Sequence, residues 1–136
     1  MDTEKTALVL GATGGVGGAI AAALLGKGWT VRGLARNMEA ARRSGASRIE
    51  WVGGDAMNRA DVMRAAQGVS TIVHAVNPPG YKNWGKLVLP MIDNTIAAAR
   101  TVGARVVLPG TVYNFDPART PVLSETSPQN PTFFFF

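Results

Sequence analysis

Along this chain, short apolar runs alternate with longer segments of helical pattern. The apolar runs, which have the character of buried strands, are residues 6–11, 29–36, 48–55, 70–76 and 104–110. The longer segments, which have the spacing and end signals of helices, are residues 14–28, 38–45, 58–68 and 86–103. The alternation predicts the element order β-α-β-α-β-α-β-α-β.

This order predicts an α/β fold with a doubly wound parallel sheet. Near-continuous apolar strands separated by helices are typical of a parallel sheet covered on both faces, and right-handed crossovers then wind it in both directions. Asn58 is expected to cap the third helix, and Pro90 to kink or open the fourth. We predict that this domain spans residues 1–116.

The last part of the chain has a different composition. Residues 117–136 contain Pro117, Pro121, Pro128 and Pro131, which favour a loop, and they end in four consecutive phenylalanines. Such an exposed aromatic run is not typical of a domain edge. We therefore interpret residues 117–136 as a Pro-rich loop with an anomalous end, either truncated or mis-assigned.

Composition excludes several classes of function. The sequence has no cysteine and one histidine, which rules out thiolate catalysis and predicts no metal site. No apolar run reaches the roughly 20 residues of a membrane span, and the polar N-terminus "MDTEKT" is unlike a signal peptide. A cytoplasmic protein without a membrane partner is the expectation. The net charge of +5 comes from dispersed basic residues, so no nucleic acid is expected as a partner.

Three glycines lie between the first predicted strand and the first predicted helix. Gly11, Gly14 and Gly17 have the spacing G-x-x-G-x-x-G. At the start of a helix, unpaired N–H groups and the positive end of the dipole attract a pyrophosphate, and residues without side chains let it approach. Thr13 can add a hydroxyl. The motif predicts a dinucleotide site; the alternative is a tight turn without a ligand.

The end of the second predicted strand carries a signal about the type of dinucleotide. NAD-binding proteins usually place Asp or Glu there, about 20 residues after the glycines. This chain has Arg36 and Asn37 instead, and its first carboxylate is Glu39. A guanidinium suits the 2′-phosphate of NADP. NADP is therefore the predicted cofactor, with NAD as the alternative, and a surface Arg36 without a contact is the other interpretation.

These motifs resemble the extended and atypical branch of the short-chain dehydrogenase/reductase superfamily, the NAD(P)-dependent epimerase/dehydratase-like proteins. "GATGGVG" matches the glycine motif of that branch, "GGDAMN" its segment after the third strand, and "VHAVNPP" its fourth-strand motif. The resemblance implies a Rossmann-like NAD(P)-binding domain. The cofactor contacts that it implies are Gly11, Ala12, Thr13, Gly14, Gly15, Val16, Gly17, Arg36, Asn37, Asp55, Ala56, His74, Ala75, Val76 and Asn77.

The segment "ARVVLPGTVYN" resembles the family's fifth strand, which carries a catalytic Ser or Thr before Val-Tyr. Aligned on the strand, Thr111 takes this place; aligned on Val-Tyr, Pro109 takes it, which has no hydroxyl. The family's Tyr-x-x-x-Lys does not follow Thr111, and its C-terminal substrate half is absent from this sequence. The resemblance implies an oxidoreductase or epimerase-like protein that transfers hydride at a carbinol or carbonyl carbon of a small substrate, for example a sugar derivative. The alternative is a non-catalytic NADP-binding sensor or regulator.

Other polar residues allow two interpretations each. Tyr81, Lys82 and Trp84, in the loop after the fourth strand, could line a substrate pocket or form a simple surface loop. Asn94 stands in the helix that carries a structural asparagine in the family, and a solvent-facing amide is equally consistent with its position. The substrate, the direction of the reaction and the oligomeric state are left open by the sequence.

Overall fold

The structure, a computed structural model, describes residues 3–44 and 48–131. Its strands are β1 (Thr6–Leu10), β2 (Thr30–Ala35), β3 (Glu50–Gly53), β4 (Thr71–His74) and β5 (Arg105–Val107). Its helices are α1 (Gly15–Gly26), α2 (Met38–Arg43), α3 (Arg59–Ala65) and α4 (Trp84–Val102), with short 3₁₀ turns at Thr3–Lys5 and Pro79–Tyr81. The element order matches the prediction, and the predicted doubly wound α/β fold is confirmed.

The central strand β1 connects two apolar layers of the core. All of its residues are buried, as expected for the middle of a parallel sheet. Because side chains alternate between the faces of a strand, Leu8 and Leu10 pack with α3 and α4, whereas Val9 packs with α1. Removing β1 from water on both faces gives the sheet its largest share of hydrophobic stabilisation.

The strand order creates a crevice at one edge of the sheet. All neighbouring strands are parallel, in the order β3-β2-β1-β4-β5, so the chain winds away from β1 in one direction and then returns to its other side. The last residue of β1, Leu10, lies in register with Leu34 of β2 and His74 of β4. The connections leaving β1 and β4 therefore diverge at this point, where open α/β sheets bind their ligands.

The helix α4 is the longest element, and its boundaries differ from the sequence prediction. It begins at Trp84 and continues through Pro90 without a break in the helix. Met91, Thr95, Ala98 and Ala99 form its buried stripe, and this spacing holds the helix on the sheet despite the proline. No helix within residues 3–44 and 48–131 is both long and apolar enough to cross a membrane.

Smaller differences arise at the other element ends. Asn58 caps α3 as predicted, since its side chain accepts the Asp61 N–H at 3.1 Å. The strands β3 and β5 are shorter than their apolar runs, because parts of those runs belong to loops. Residues 108–131 contain turns and bends but no helix or strand. Gly45 and the phenylalanines 133–136 lie outside the described residues, and the division at residue 116 stays a prediction.

Gly17 and Gly15 lie on the same helix in opposite surroundings. A Cβ atom at Gly17 would stand 2.6 Å from the carbonyl carbon of Gly11, whereas one at Gly15 would meet nothing within 4 Å. We predict that Gly17→Ala lowers the free energy of unfolding by roughly 1–3 kcal/mol through overpacking. Gly15→Ala should leave it unchanged or raise it by up to about 1 kcal/mol. Urea unfolding of both variants checks this, and equal losses would contradict it.

Candidate cofactor-binding site

The glycine loop brings the end of β1 against the end of β4. Gly11 has a φ of 84°, which is unfavourable for residues with a side chain. A Cβ atom there would lie 2.7 Å from the carbonyl carbon of Ala75, too close for any side chain. The Gly14 N–H then donates to the Gly11 carbonyl at 3.0 Å and closes the turn. The loop therefore requires glycine at its first position for both conformation and space.

The start of α1 presents a surface suited to a phosphate group. Gly14 is the N-cap residue and has no side chain to occupy the first N–H groups of the helix. Thr13, Gly14, Gly15 and Val16 are exposed, and no atom would obstruct a Cβ at Gly15 within 4 Å. The unpaired N–H groups and the helix dipole together attract an anion here.

Beside this loop, a cleft of about 530 Å³ opens at the carboxyl ends of the strands. Its lining comes from the ends of β1 and β2, the helix α2, the loops after β3 and β4, and the first turns of α4. The lining residues that the sequence singled out are Gly11, Thr13, Arg36, Asn37, Asp55, Ala56, Val76 and Asn77. Leu34, Met57, Leu87 and Met91 add apolar surface. A long groove with apolar walls and few polar groups is the usual form of a cofactor site.

At the end of β2, a cation and a helix cap face the cleft. The Asn37 side chain accepts the Ala40 N–H at 3.0 Å and so caps α2. Arg36 is exposed, and no hydrogen bond or ion pair engages it among the residues that the structure describes. Glu39, the first carboxylate after β2, pairs with Arg43 at 2.7 Å and is not part of the cleft lining. Among the described residues, Arg36 therefore forms no ion pair with the nearby carboxylates, Glu39 of α2 and Asp55 of the loop after β3.

The loop after β3 is held in place by α3. The Asp55 carboxylate accepts the Met57 N–H at 2.9 Å, and the Asp55 N–H donates to Asp61 at 3.0 Å. Arg64 donates to Asp61 at 3.0 Å and to the Gly53 carbonyl at 2.7 Å. The hydrogen bond from Asp55 and the pairing with Arg64 keep the pKa of Asp61 below its usual 3.8. The sequence analysis did not predict these hydrogen bonds between α3 and the loop after β3, although the spacing of Asp61 and Arg64 on one helix face was a signal for their pairing.

Two neighbouring residues of α4, Asn94 and Thr95, form hydrogen bonds with the segments that build the walls of the cleft. Asn94 donates to the Ala56 carbonyl at 2.9 Å, so its amide supports the loop after β3 and does not face solvent. Thr95 forms a hydrogen bond of 2.8 Å with Nδ1 of His74, at the end of β4. His74 itself is buried, and burial lowers its pKa from the usual 6.5.

Several residues predicted to contact the cofactor lie beside or behind the cleft. Ala12 and Gly17 are buried under the loop, and Ala75 contributes the backbone that packs on Gly11. Thr111 is exposed on the segment after β5, where its hydroxyl accepts the Tyr113 N–H at 3.2 Å. Thr111 is not part of the cleft lining, and neither are the exposed Lys82 and Trp84. The side chain of Tyr81 lies outside the described residues.

Comparison with known proteins agrees with this geometry. The sequence profile of the NAD(P)H-binding family matches residues 11–130. Triphenylmethane reductase from Citrobacter sp., solved with NADP(H), is 28% identical (TM-score 0.64, covering 80% of this chain and 38% of that one). A mutated uronate dehydrogenase is 27% identical (TM-score 0.71, 93% and 47%). The UDP-N-acetylglucosamine 4-epimerase of Bacillus cereus, at 18% identity, shares the fold (TM-score 0.72, 93% and 48%). No curated protein sequence matches.

The sheet, the glycine loop and the cleft define a Rossmann-like dinucleotide-binding domain. The profile match covers most of the sequence, and the chain belongs to the NAD(P)H-binding family, within the extended short-chain dehydrogenase/reductase superfamily. It spans between 38% and 48% of the length of the three solved chains. The predicted family membership is confirmed, and so is NAD(P)H as the class of cofactor.

The buried His74 predicts a loss of stability in mild acid. Because its folded-state pKa is below 6.5, the unfolded chain binds this proton more tightly. The free energy of unfolding should therefore fall as the pH decreases below 6.5, by at most about 1.4 kcal/mol per pH unit for this one proton. Urea unfolding between pH 7.5 and 5 measures the slope. In His74→Asn the free energy of unfolding should change less steeply with pH. An unchanged slope would show that other groups cause the pH dependence.

Proposed function

We propose that the chain binds NADP(H) in preference to NAD(H). The observation that carries this proposal is the position of Arg36, which lines the cleft directly after β2 and forms no ion pair among the described residues. A carboxylate at this place would accept a hydrogen bond from the 2′-hydroxyl of NAD, whereas a guanidinium can donate two hydrogen bonds to a 2′-phosphate. Because Arg36 has no partner among the described residues, binding a phosphate would not require an existing ion pair to break.

The surroundings of Arg36 favour an anion further. The chain carries a net charge of +5, and the start of α1, directly after the cleft residue Thr13, adds its own partial positive charge. Arg36 then suits a 2′-phosphate, and the start of α1 suits a pyrophosphate. The triphenylmethane reductase of Citrobacter sp., 28% identical, was solved in complex with NADP(H), which supports the same cofactor for this chain.

For the reaction, we propose hydride transfer between NADP(H) and a carbinol or carbonyl carbon of a small substrate, for example a sugar derivative. The bound cofactor would supply the hydride chemistry. The chain's own residues would hold it: the loop at 11–17 by backbone N–H groups, and Arg36 by charge. Thr111 is the proposed partner of the substrate oxygen. The names of two similar structures, a reductase and a uronate dehydrogenase, support this class of reaction.

A non-catalytic NADP(H) sensor is the second candidate, and the position of Thr111 favours it. The Thr111 hydroxyl accepts a backbone N–H of its own loop, and it does not line the cleft. Binding without turnover is the behaviour that this chain would then show.

The cofactor preference is tested by reversing the charge at Arg36. A charge-assisted hydrogen bond contributes roughly 1.5–3 kcal/mol, so wild type should bind NADPH on the order of tenfold to hundredfold more tightly than NADH. Arg36→Glu should reverse the order, because the carboxylate repels the 2′-phosphate and can accept the 2′-hydroxyl. Calorimetry with both cofactors measures the four dissociation constants.

Arg42→Glu is the matched control for this experiment. Arg42 is exposed on the same short helix as the cleft residue Ala40 but is not part of the cleft lining. Arg42→Glu changes the net charge by the same amount as Arg36→Glu, and it should leave the ratio of the dissociation constants of NADPH and NADH unchanged. If wild type binds NADPH and NADH equally, or if both variants change the ratio alike, Arg36 does not contact the 2′-phosphate.

The choice between enzyme and sensor is tested with the 136-residue chain itself. The enzyme should oxidise NADPH in the presence of at least one member of a panel of carbonyl compounds that includes uronates and keto sugars. The sensor should bind NADPH and leave its oxidation at the rate measured without protein. Absorbance at the reduced nicotinamide band follows the turnover. Turnover that survives Thr111→Val would place the active site elsewhere; turnover abolished by this variant would establish the enzyme with Thr111 at its centre.

A further inference from the structure

A buried polar pair lies directly behind the wall that β4 gives to the cleft. His74, the last residue of β4, is 5% exposed, and Thr95 of α4 is fully buried. Nδ1 of His74 and Oγ1 of Thr95 are 2.8 Å apart, a hydrogen bond in which either group can donate. The bond joins the sheet to the helix across the core.

The backbone connects this pair with residues that face the cleft. The N–H of Ala75, next to His74, donates to the Leu10 carbonyl at 3.0 Å, and the Ala75 carbonyl packs against Gly11. The chain continues directly into Val76 and Asn77, which line the cleft. Any movement of the His74 ring therefore acts on the cleft wall through the adjoining backbone.

Packing alone does not explain a threonine at position 95. The same buried stripe of α4 otherwise carries Met91, Ala98 and Ala99, and valine would fill the space of Thr95 with the same shape. A buried imidazole is stable only if its polar nitrogens find partners, and without the hydroxyl Nδ1 would lose the partner that the structure gives it. The hydroxyl thus determines how the His74 ring is oriented.

We infer that Thr95 is a positioning residue for the cofactor: through His74, it holds the backbone of residues 75–77 where bound NADP(H) requires it. This inference rests on the proposed function, since it assigns no ligand of its own. Thr95 does not line the cleft, and its hydroxyl reaches the wall formed after β4 through the hydrogen bond to His74. Asn94 holds the opposite wall through Ala56, so adjacent side chains of α4 position both walls.

The test separates the hydroxyl of Thr95 from its volume. Thr95→Ser keeps the hydroxyl and removes a methyl group, whereas Thr95→Val keeps the shape and removes the hydroxyl. The dissociation constant of NADPH should stay within about twofold of wild type in Thr95→Ser and rise by about threefold to tenfold in Thr95→Val, because the lost pre-organisation cannot exceed the free energy of the hydrogen bond. Thermal unfolding of each variant, measured in parallel, shows whether affinity merely follows stability.

Val62→Ala is the control for stability without a change at the cleft. Val62 is fully buried on α3, in the core layer that α3 and α4 form with Leu8 and Leu10 of β1, and it does not line the cleft. This variant should lose stability and keep its affinity for NADPH. An affinity that falls with the unfolding temperature across all three variants would show that Thr95 has a structural role only.

His74 is the single histidine of the chain, so its ring signals in the NMR spectrum need no assignment by mutation. NADPH should shift these signals in wild type and Thr95→Ser, and much less in Thr95→Val at equal saturation. Equal affinities in Thr95→Ser and Thr95→Val, or ring signals that do not respond to NADPH in wild type, would overturn the inference alone. Failure of wild type to bind NADPH would overturn the proposed function itself.

Discussion

The close contact between the backbones of Gly11 and Ala75 is the constraint on which the cofactor site depends. It joins the ends of β1 and β4 at the point where the strand order reverses. Because β1 cannot extend past this contact, the chain turns at once into α1 and directs the first N–H groups of the helix over the edge of the sheet. A side chain at Gly11 would push β4 away and remove the turn, the helix start and one wall together.

The walls of the cleft are supported by hydrogen bonds from the helices α3 and α4. Asp61 and Arg64 of α3 hold the loop after β3, and Asn94 and Thr95 of α4 hold both that loop and the end of β4. Arg36 is different, because it stands at the rim without a partner among the described residues. Walls held by these hydrogen bonds, with Arg36 unengaged among the described residues, favour a phosphorylated ligand, since little order has to be gained on binding.

The sequence predicted the features that depend on local patterns. Apolar runs and helical spacing predicted the five strands, the alternation of strands and helices along the chain and the cap at Asn58, because each depends on residues near one another in the chain. The glycine spacing likewise located the loop at residues 11–17. Contacts between distant segments were not predictable. The hydrogen bonds from His74 to Thr95 and from Arg64 to Gly53 depend on how α4 and α3 pack against the sheet. The sequence left two alternatives for Asn94, and only the docking of α4 decided between them.

We propose that NADP(H) binds across the carboxyl ends of the strands, and amide NMR spectroscopy can test this position residue by residue. Saturating the chain with NADPH should shift the amide signals of the glycine loop, the end of β2 at Arg36 and Asn37, and the residues after β3 and β4 at Asp55, Ala56, Val76 and Asn77. Signals of residues that are not part of the cleft lining and lie at the other end of α1, such as Lys27 and Gly28, should stay in place. Shifts confined to surfaces away from the carboxyl ends of the strands, or no shifts at millimolar NADPH, would contradict the account.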